Sequence, residues 1–291
     1  MDYRGKVAVI TGAASGLGLG LTRACAARGM KMALADINET GLGEVQKELS
    51  EHGLEILAEK VDVSQVDDVE RFAYHTFKHF GQVNLLFNNA GILGKFSTLD
   101  AMLKDWEWVI GVNMWGVIHG IRAFVPRMLT SGKRGRIVNI AGSAGFISMP
   151  GSSIYRMTKS AVISLSESLY HEMAIAKTGI KVSVVSPAFI NTDIIHSEKS
   201  RPADMQKTDP IPTTNPMEEA IFTWVKQQVE SGPQPEIVAE DIFSGIDRGK
   251  LYIFTPSLSE DRDLQQAIRY RSESILFEKN PINPFSGIEY D

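Results

Sequence analysis

The chain is nearly free of cysteine. Cys25 is the single one in 291 residues, so no internal disulfide can form and a reducing compartment is the expected setting. A positive charge balance is missing too, since 30 basic residues face 35 acidic ones for a formal net charge of −5. A field of that sign does not hold a polyphosphate backbone, which argues against a nucleic-acid partner. The densest basic cluster, GKRGR at 132 to 136, lies between a helical and a strand pattern and reads as a solvated turn. No uninterrupted apolar run approaches the roughly 18 residues of a membrane helix, and the opening MDYRGKVAVITG enters a strand without the apolar stretch of a signal peptide. A cytoplasmic protein with no membrane partner is therefore expected. Internal repeats and low-complexity segments are lacking, and proline-rich interruptions fall at 202 to 216, at 233 to 235 and after Pro256. His75 and His79 have the i, i+4 spacing of metal ligands, but no cysteine or acidic ligand accompanies them in the sequence pattern, so no metal site is expected.

What the chain does have is an alternation. Short apolar runs at 6 to 10, 31 to 35, 55 to 61, 84 to 88, 135 to 140, 181 to 186 and 250 to 254 are separated by longer segments of helical periodicity. Strand and helix repeated in this way make a parallel sheet, because right-handed crossovers carry their helices to both faces. With 43% hydrophobic and 22% charged residues, the composition suits one large core. The expected fold is α/β, a doubly wound seven-stranded parallel sheet with helices on both faces, in a single domain over 1 to 291.

The first strand runs into TGAASGLG, residues 11 to 18. Gly12 permits a tight turn, Gly16 lets the backbone approach a pyrophosphate, and Gly18 lets the next helix pack on the sheet, with Ser15 and Leu17 between them. Asp36 follows the second strand, where a carboxylate accepts hydrogen bonds from ribose hydroxyls; the competing reading is a cap for the helix starting near Asn38. A carboxylate there repels a 2′-phosphate, and no arginine or lysine occupies 12 to 18 or 36 to 40, so NAD is expected over NADP. Asp62 and Val63 after the third strand, and Asn89, Ala90 and Gly91 of NNAG after the fourth, stand at the carboxyl edge that binds ligands in Rossmann-type sheets.

Downstream, Tyr155 and Lys159 have i, i+4 spacing on a helical pattern. Taken together, TGAASGLG, Asp36, Asp62, NNAG, Asn113, Tyr155 with Lys159, and SPAFINT at 186 to 192 resemble the short-chain dehydrogenase/reductase family over roughly residues 5 to 254. The resemblance implies an NAD-dependent oxidoreductase that interconverts a secondary alcohol and its ketone, in which a Ser, Tyr, Lys set and an asparagine relay the proton. It gives Pro187, Ile190 and Thr192 the carboxamide end of nicotinamide, although Ala188 stands where the family has glycine. It gives Asn113 the bending of the helix at about 99 to 130 and the holding of a water beside Lys159. It also implies a homodimer or homotetramer paired through 99 to 130 and 152 to 177.

The chemistry of that pair follows from charge. A phenol ionises near 10, too high for a base at neutrality. One unit charge at about 4 Å is worth on the order of 4 kcal/mol at an effective dielectric of about 20, so Lys159 is expected to bring Tyr155 down to about 7. The family's serine position falls on Gly142. A one-residue slip would let Ser143 supply the hydroxyl; otherwise Ser148, Ser152 or Ser153 does, or no serine does. Leu93, Phe96, Phe146, Ile147, Met149, Phe189 and Ile195 flank the expected site, and no arginine is obviously placed to clamp an anion. A substrate loop and lid is expected at about 188 to 232, with Met217, Ile221, Trp224 and Val225 on one helical face, and a C-terminal extension at about 256 to 291. A bulky apolar alcohol is the expected substrate; a carbonyl reductase and a catalytically silent NAD-binding regulator are the alternatives.

Overall fold

Each of the seven apolar runs forms a strand: β1 (Val7–Thr11), β2 (Lys31–Asp36), β3 (Ile56–Lys60), β4 (Leu85–Asn88), β5 (Gly135–Ile140), β6 (Ile180–Pro187) and β7 (Tyr252–Thr255). The computed structural model describes residues 2–94, 98–99, 101–206, 216–258 and 260–280, the side chains of 216–218 excepted. The strands form one parallel sheet in the order β3-β2-β1-β4-β5-β6-β7. β1, β4 and β5 are buried along their whole length. Strands covered on both sides read as unbroken apolar runs, which is why no polar alternation marked them in the sequence.

Period-two alternation still sorts their side chains. Ala8 and Ile10 join the core under α1 (Gly16–Ala27), α2 (Glu39–Glu51) and α8 (Pro235–Asp247). Val7 and Val9 point the other way, into the core under α3 (Val66–Phe80), α5 (Gly116–Thr130) and α6 (Ser153–Ile175). The order reverses at β1, whose neighbours are β2 and β4. Chain connections leave β1 and β4 in opposite directions there, so a crevice opens at the carboxyl ends of the strands.

The helical segment expected at about 99 to 130 is interrupted. α4 (Leu103–Ile110) and α5 are joined by a π-helical turn at Gly111–Trp115, with Asn113 buried inside it. Such a turn inserts a residue into the helical ladder and is common at functional sites. By length and composition the stretch Leu103–Thr130 is apolar enough to cross a membrane, with a mean hydropathy of 1.3, yet half of that window is buried in the fold.

Two sequence expectations are corrected. Arg136 of the GKRGR run is no solvated residue: it is 2% exposed, and its Nη1 donates to Ser183 Oγ at 2.6 Å and to the Lys250 carbonyl at 3.3 Å. The connection ends at Arg134, and β5, which begins at Gly135, carries this side chain into the sheet. His75 and His79 do face acids, Glu59 at 2.9 Å and Glu55 at 3.2 Å, because α3 packs beside edge strand β3. Among the described residues no group of three or more potential ligands forms a metal site.

Candidate active site

The crevice is a cavity of about 1440 Å³, and every residue named above for the cofactor lies on its wall, from Gly12 to Thr192. The glycine turn has no spare room: a Cβ on Gly12, which has φ +67°, would come within 2.9 Å of the Ala90 backbone. Thr11 ties this turn to NNAG, its hydroxyl accepting from the backbone N–H groups of Asn89 and Ala90 at 3.0 and 3.1 Å. Asn89 closes the link, its side-chain amide donating to the Thr11 carbonyl at 2.8 Å. Asp36 fastens the turn from the other side, accepting from the N–H groups of Ala14 and Asn38, both at 2.9 Å. α2 is capped by Asn38, whose side chain accepts from Gly41 N–H at 3.1 Å. Asp36 is therefore not that helix's cap but the brace between β2 and the glycine turn.

α1 opens into this cavity with no capping side chain at Ser15 and no acidic residue in its first turn. Its leading N–H groups and the positive end of its dipole are left for an anion, which fits the pyrophosphate of a dinucleotide. Asp62 is held differently, accepting from the backbone and hydroxyl of Ser64 at 2.9 and 2.7 Å.

Tyr155 and Lys159 stand on the first turns of α6 and open on the same cavity. Lys159 Nζ donates to the Ile140 carbonyl at the end of β5 at 3.1 Å and lies 5.5 Å from the centre of the Tyr155 ring. The expected fall of Tyr155 to about 7 does not appear: burial pushes its hydroxyl up to about 12, against a lowering pull from Arg156. Burial pushes Lys159 down to about 8. Both charged forms lose hydration in the same enclosed place, and the lysine's head is turned to a carbonyl instead of the phenol.

Asn113 lies outside the wall. Its amide accepts from Ile92 N–H at 2.9 Å, donates to the Ile92 carbonyl at 2.9 Å and to Thr158 Oγ1 at 3.3 Å. It thus splices the π turn to the chain beyond NNAG and to α6. Position 142 is next to the Tyr155 hydroxyl, since a Cβ built on Gly142 lies 3.9 Å from that oxygen. Gly142 has φ +112°, a conformation that strains any side chain. Ser143 begins the following 3₁₀ turn on the wall. Ser152 is also on the wall but accepts from Arg156 Nε at 2.9 Å, whereas Ser148 is exposed and Ser153 Oγ is buried without a hydrogen-bond partner among the described residues.

The far side contributes the apolar side chains of Leu93, Ile147, Met149, Phe189, Ile194 and Trp224, beside polar ones that include Lys199, Glu219 and Gln228. Ile194 takes the place expected of Ile195, and Phe146 packs on Phe254 at 5.3 Å instead of lining the cavity. Phe96 and the side chain of Met217 lie outside the described residues. The candidate lid helix, α7 (Pro216–Glu230), presents Ile221, Trp224 and Val225 to the cavity. Trp224 meets Phe189 edge-on at 5.4 Å.

Sequence reading missed three supports. Arg201, after β6, pairs with Asp105 of α4 at 2.7 Å, both side chains 1 to 2% exposed, and lies 4.1 Å over the Trp108 ring. Their separation of 96 residues left no local signal. Arg271 of α9 (Arg262–Leu276) donates to the Phe146 carbonyl at 2.8 Å and so fixes the turn holding Ser143. Arg156, next to Tyr155 on α6, holds the turn before that helix, donating to the Ile147 carbonyl at 3.0 Å and to Ser152 Oγ at 2.9 Å.

A family model described as short chain dehydrogenase matches residues 6–203. The chain is 30% identical to a "CLA biosynthesis dehydrogenase/reductase" of Lactiplantibacillus plantarum, over 87% of this chain and 89% of that one. It is 33% identical to the putative oxidoreductase SadH of Mycobacterium tuberculosis, over 86% and 85%. A short chain dehydrogenase/reductase of Burkholderia phymatum, solved in complex with NAD, superposes with a TM-score of 0.92 at 36% identity, over 98% and 99% of the two chains. With the glycine turn, Asp36, NNAG and the Tyr155–Lys159 pair gathered on one cavity, the protein belongs to the short chain dehydrogenase family.

Proposed function

We propose that the protein transfers hydride between NAD and a bulky, largely apolar secondary alcohol or its ketone, with Tyr155 as the general acid and base. One observation carries this reading: Tyr155 and Lys159 open on the same cavity as the uncapped start of α1 and the apolar wall around Trp224. NAD, when bound, accepts the hydride or, in its reduced form, donates it. The chain's own part is the proton. Among the described residues the Tyr155 hydroxyl has no hydrogen-bond partner, which leaves it to meet the substrate oxygen. It gives its proton to that oxygen as a ketone is reduced and takes it back as an alcohol is oxidised. Ser143 is the hydroxyl proposed to steady the same oxygen, and Lys159, held by the Ile140 carbonyl, is the neighbouring proton-bearing group on the same cavity. Asn113 holds the π turn against α6 and keeps this set in register.

Burial raises the Tyr155 hydroxyl above the ordinary phenol range, so it carries its proton at neutrality, the form that ketone reduction uses; the direction of net turnover is set by the reactant concentrations and not by this group. The test is a panel of secondary alcohols and matching ketones with NAD and NADH, read by NADH absorbance. No turnover on any of them, with NAD bound, would leave a silent binding protein.

Asp36 sets the cofactor expectation. NAD is expected to exceed NADP in catalytic efficiency by more than about tenfold, and Asp36→Asn to narrow the gap by removing the charge that repels a 2′-phosphate. Equal use of both by the unmodified protein refutes that role. Trp224 sets the size expectation: Trp224→Ala removes the edge-on partner of Phe189. KM for bulky aryl substrates is expected to rise several-fold while KM for short ones stays put, and an equal rise for both would assign Trp224 to folding alone.

A further inference from the structure

Arg156 directly follows Tyr155 on α6, and it lies on the cavity wall beside Ile147, Met149 and Ser152. A guanidinium has five N–H donors. Here Nε donates to Ser152 Oγ at 2.9 Å, Nη1 to the Ile147 carbonyl at 3.0 Å, and Nη2 faces Met149 Sδ at 2.6 Å. All three acceptors are neutral, and a thioether is a weak one. No carboxylate pairs with Arg156 among the described residues. Arg201, by comparison, is buried against both Asp105 and Glu198. Burial pushes Arg156 down to about 10, with only Tyr155 pulling it back. A cation taken out of water is costly until an anion meets it.

We propose that Arg156 is the binding site for a carboxylate of the substrate, so that the molecule reduced or oxidised at Tyr155 is an apolar body carrying one carboxylate. This rests on the hydride-transfer reading above. The two N–H groups left over, one on each terminal nitrogen, match the paired oxygens of a carboxylate. The apolar wall takes the rest of the molecule, and Ser152 and Ile147 hold the guanidinium in place for it.

The test compares meta- and para-acetylbenzoate with the matching acetylbenzamides, which have the same shape without the charge. With NADH, the unmodified protein is expected to reduce at least one of the acids with about tenfold higher kcat/KM than its amide. Arg156→Met is expected to erase that ratio, and Arg156→Lys to keep part of it, since an ammonium retains the charge without the fork. Disordering of the 147 to 152 turn would depress acid and amide together and leave the ratio unchanged. A ratio near one in the unmodified protein, or one that survives Arg156→Met, overturns the proposal. If neither ketone turns over, calorimetric binding of the same pairs to the protein with NADH decides it: tighter binding of an acid that is lost in Arg156→Met upholds the site, and equal affinities overturn it. Absence of turnover across the whole panel of ketones would count against the hydride-transfer reading separately.

Discussion

Replacing Tyr155 by phenylalanine is expected to lower turnover by roughly two to four orders of magnitude while NAD binding is retained. The ring keeps its place in α6 and only the proton carrier is removed, so calorimetry should show a Kd for NAD close to that of the unmodified protein. The pH dependence follows from the direction of the shift. Burial raises the Tyr155 hydroxyl to about 12, so the protonated form dominates through neutrality. Ketone reduction, which uses that proton, is expected to hold steady there and fall at high pH, whereas alcohol oxidation, which needs the phenolate, should climb with pH. Residual activity near the unmodified rate in Tyr155→Phe would end the assignment.

Asp105→Ala is expected to cost about 3 kcal/mol of stability, because it removes the buried carboxylate that faces the buried Arg201 guanidinium. Neither side chain has access to water, at 1 to 2% exposure, so hydration cannot replace the lost partner. Glu198 still accepts from Arg201 Nε at 2.8 Å, which keeps the loss from being larger. Asp105 also accepts from Met102 N–H at 2.9 Å at the start of α4, and that bond is lost with it. Urea titrations of Asp105→Ala, Arg201→Met and the double variant would check this. The double variant should lose clearly less than the sum of the single ones, because removing both charges leaves none stranded. Simple additivity would mean the pair is not coupled.

The same pair shows where sequence reading stops. Asp105 and Arg201 each look like ordinary surface charges in their own segments, and α4 and the chain after β6 meet only once the sheet is built. Arg136 misled for a related reason: its neighbours Lys133 and Arg134 are exposed, and only its position in β5 carries it inside. The lone-looking histidines on α3 found glutamates on β3 that no spacing within one helix reveals. In each case the partner lies on a different element, and charge pairing is a short-range effect that chain order does not encode.

By itself, the sequence determined the seven strands, the parallel sheet, the glycine turn, Asp36 and the Tyr155–Lys159 spacing. These are local patterns: apolar runs between helical stretches, turns that need glycine, and residues four apart on one helix. The tertiary structure alone decided which atoms face which. It set the φ of +112° at Gly142 beside the Tyr155 hydroxyl, the π turn that buries Asn113 against Ile92, and the neutral surroundings of Arg156. It also reversed the expected shift of Tyr155, because enclosure by elements from distant parts of the chain removes water from the phenol more than the neighbouring Arg156 charge restores.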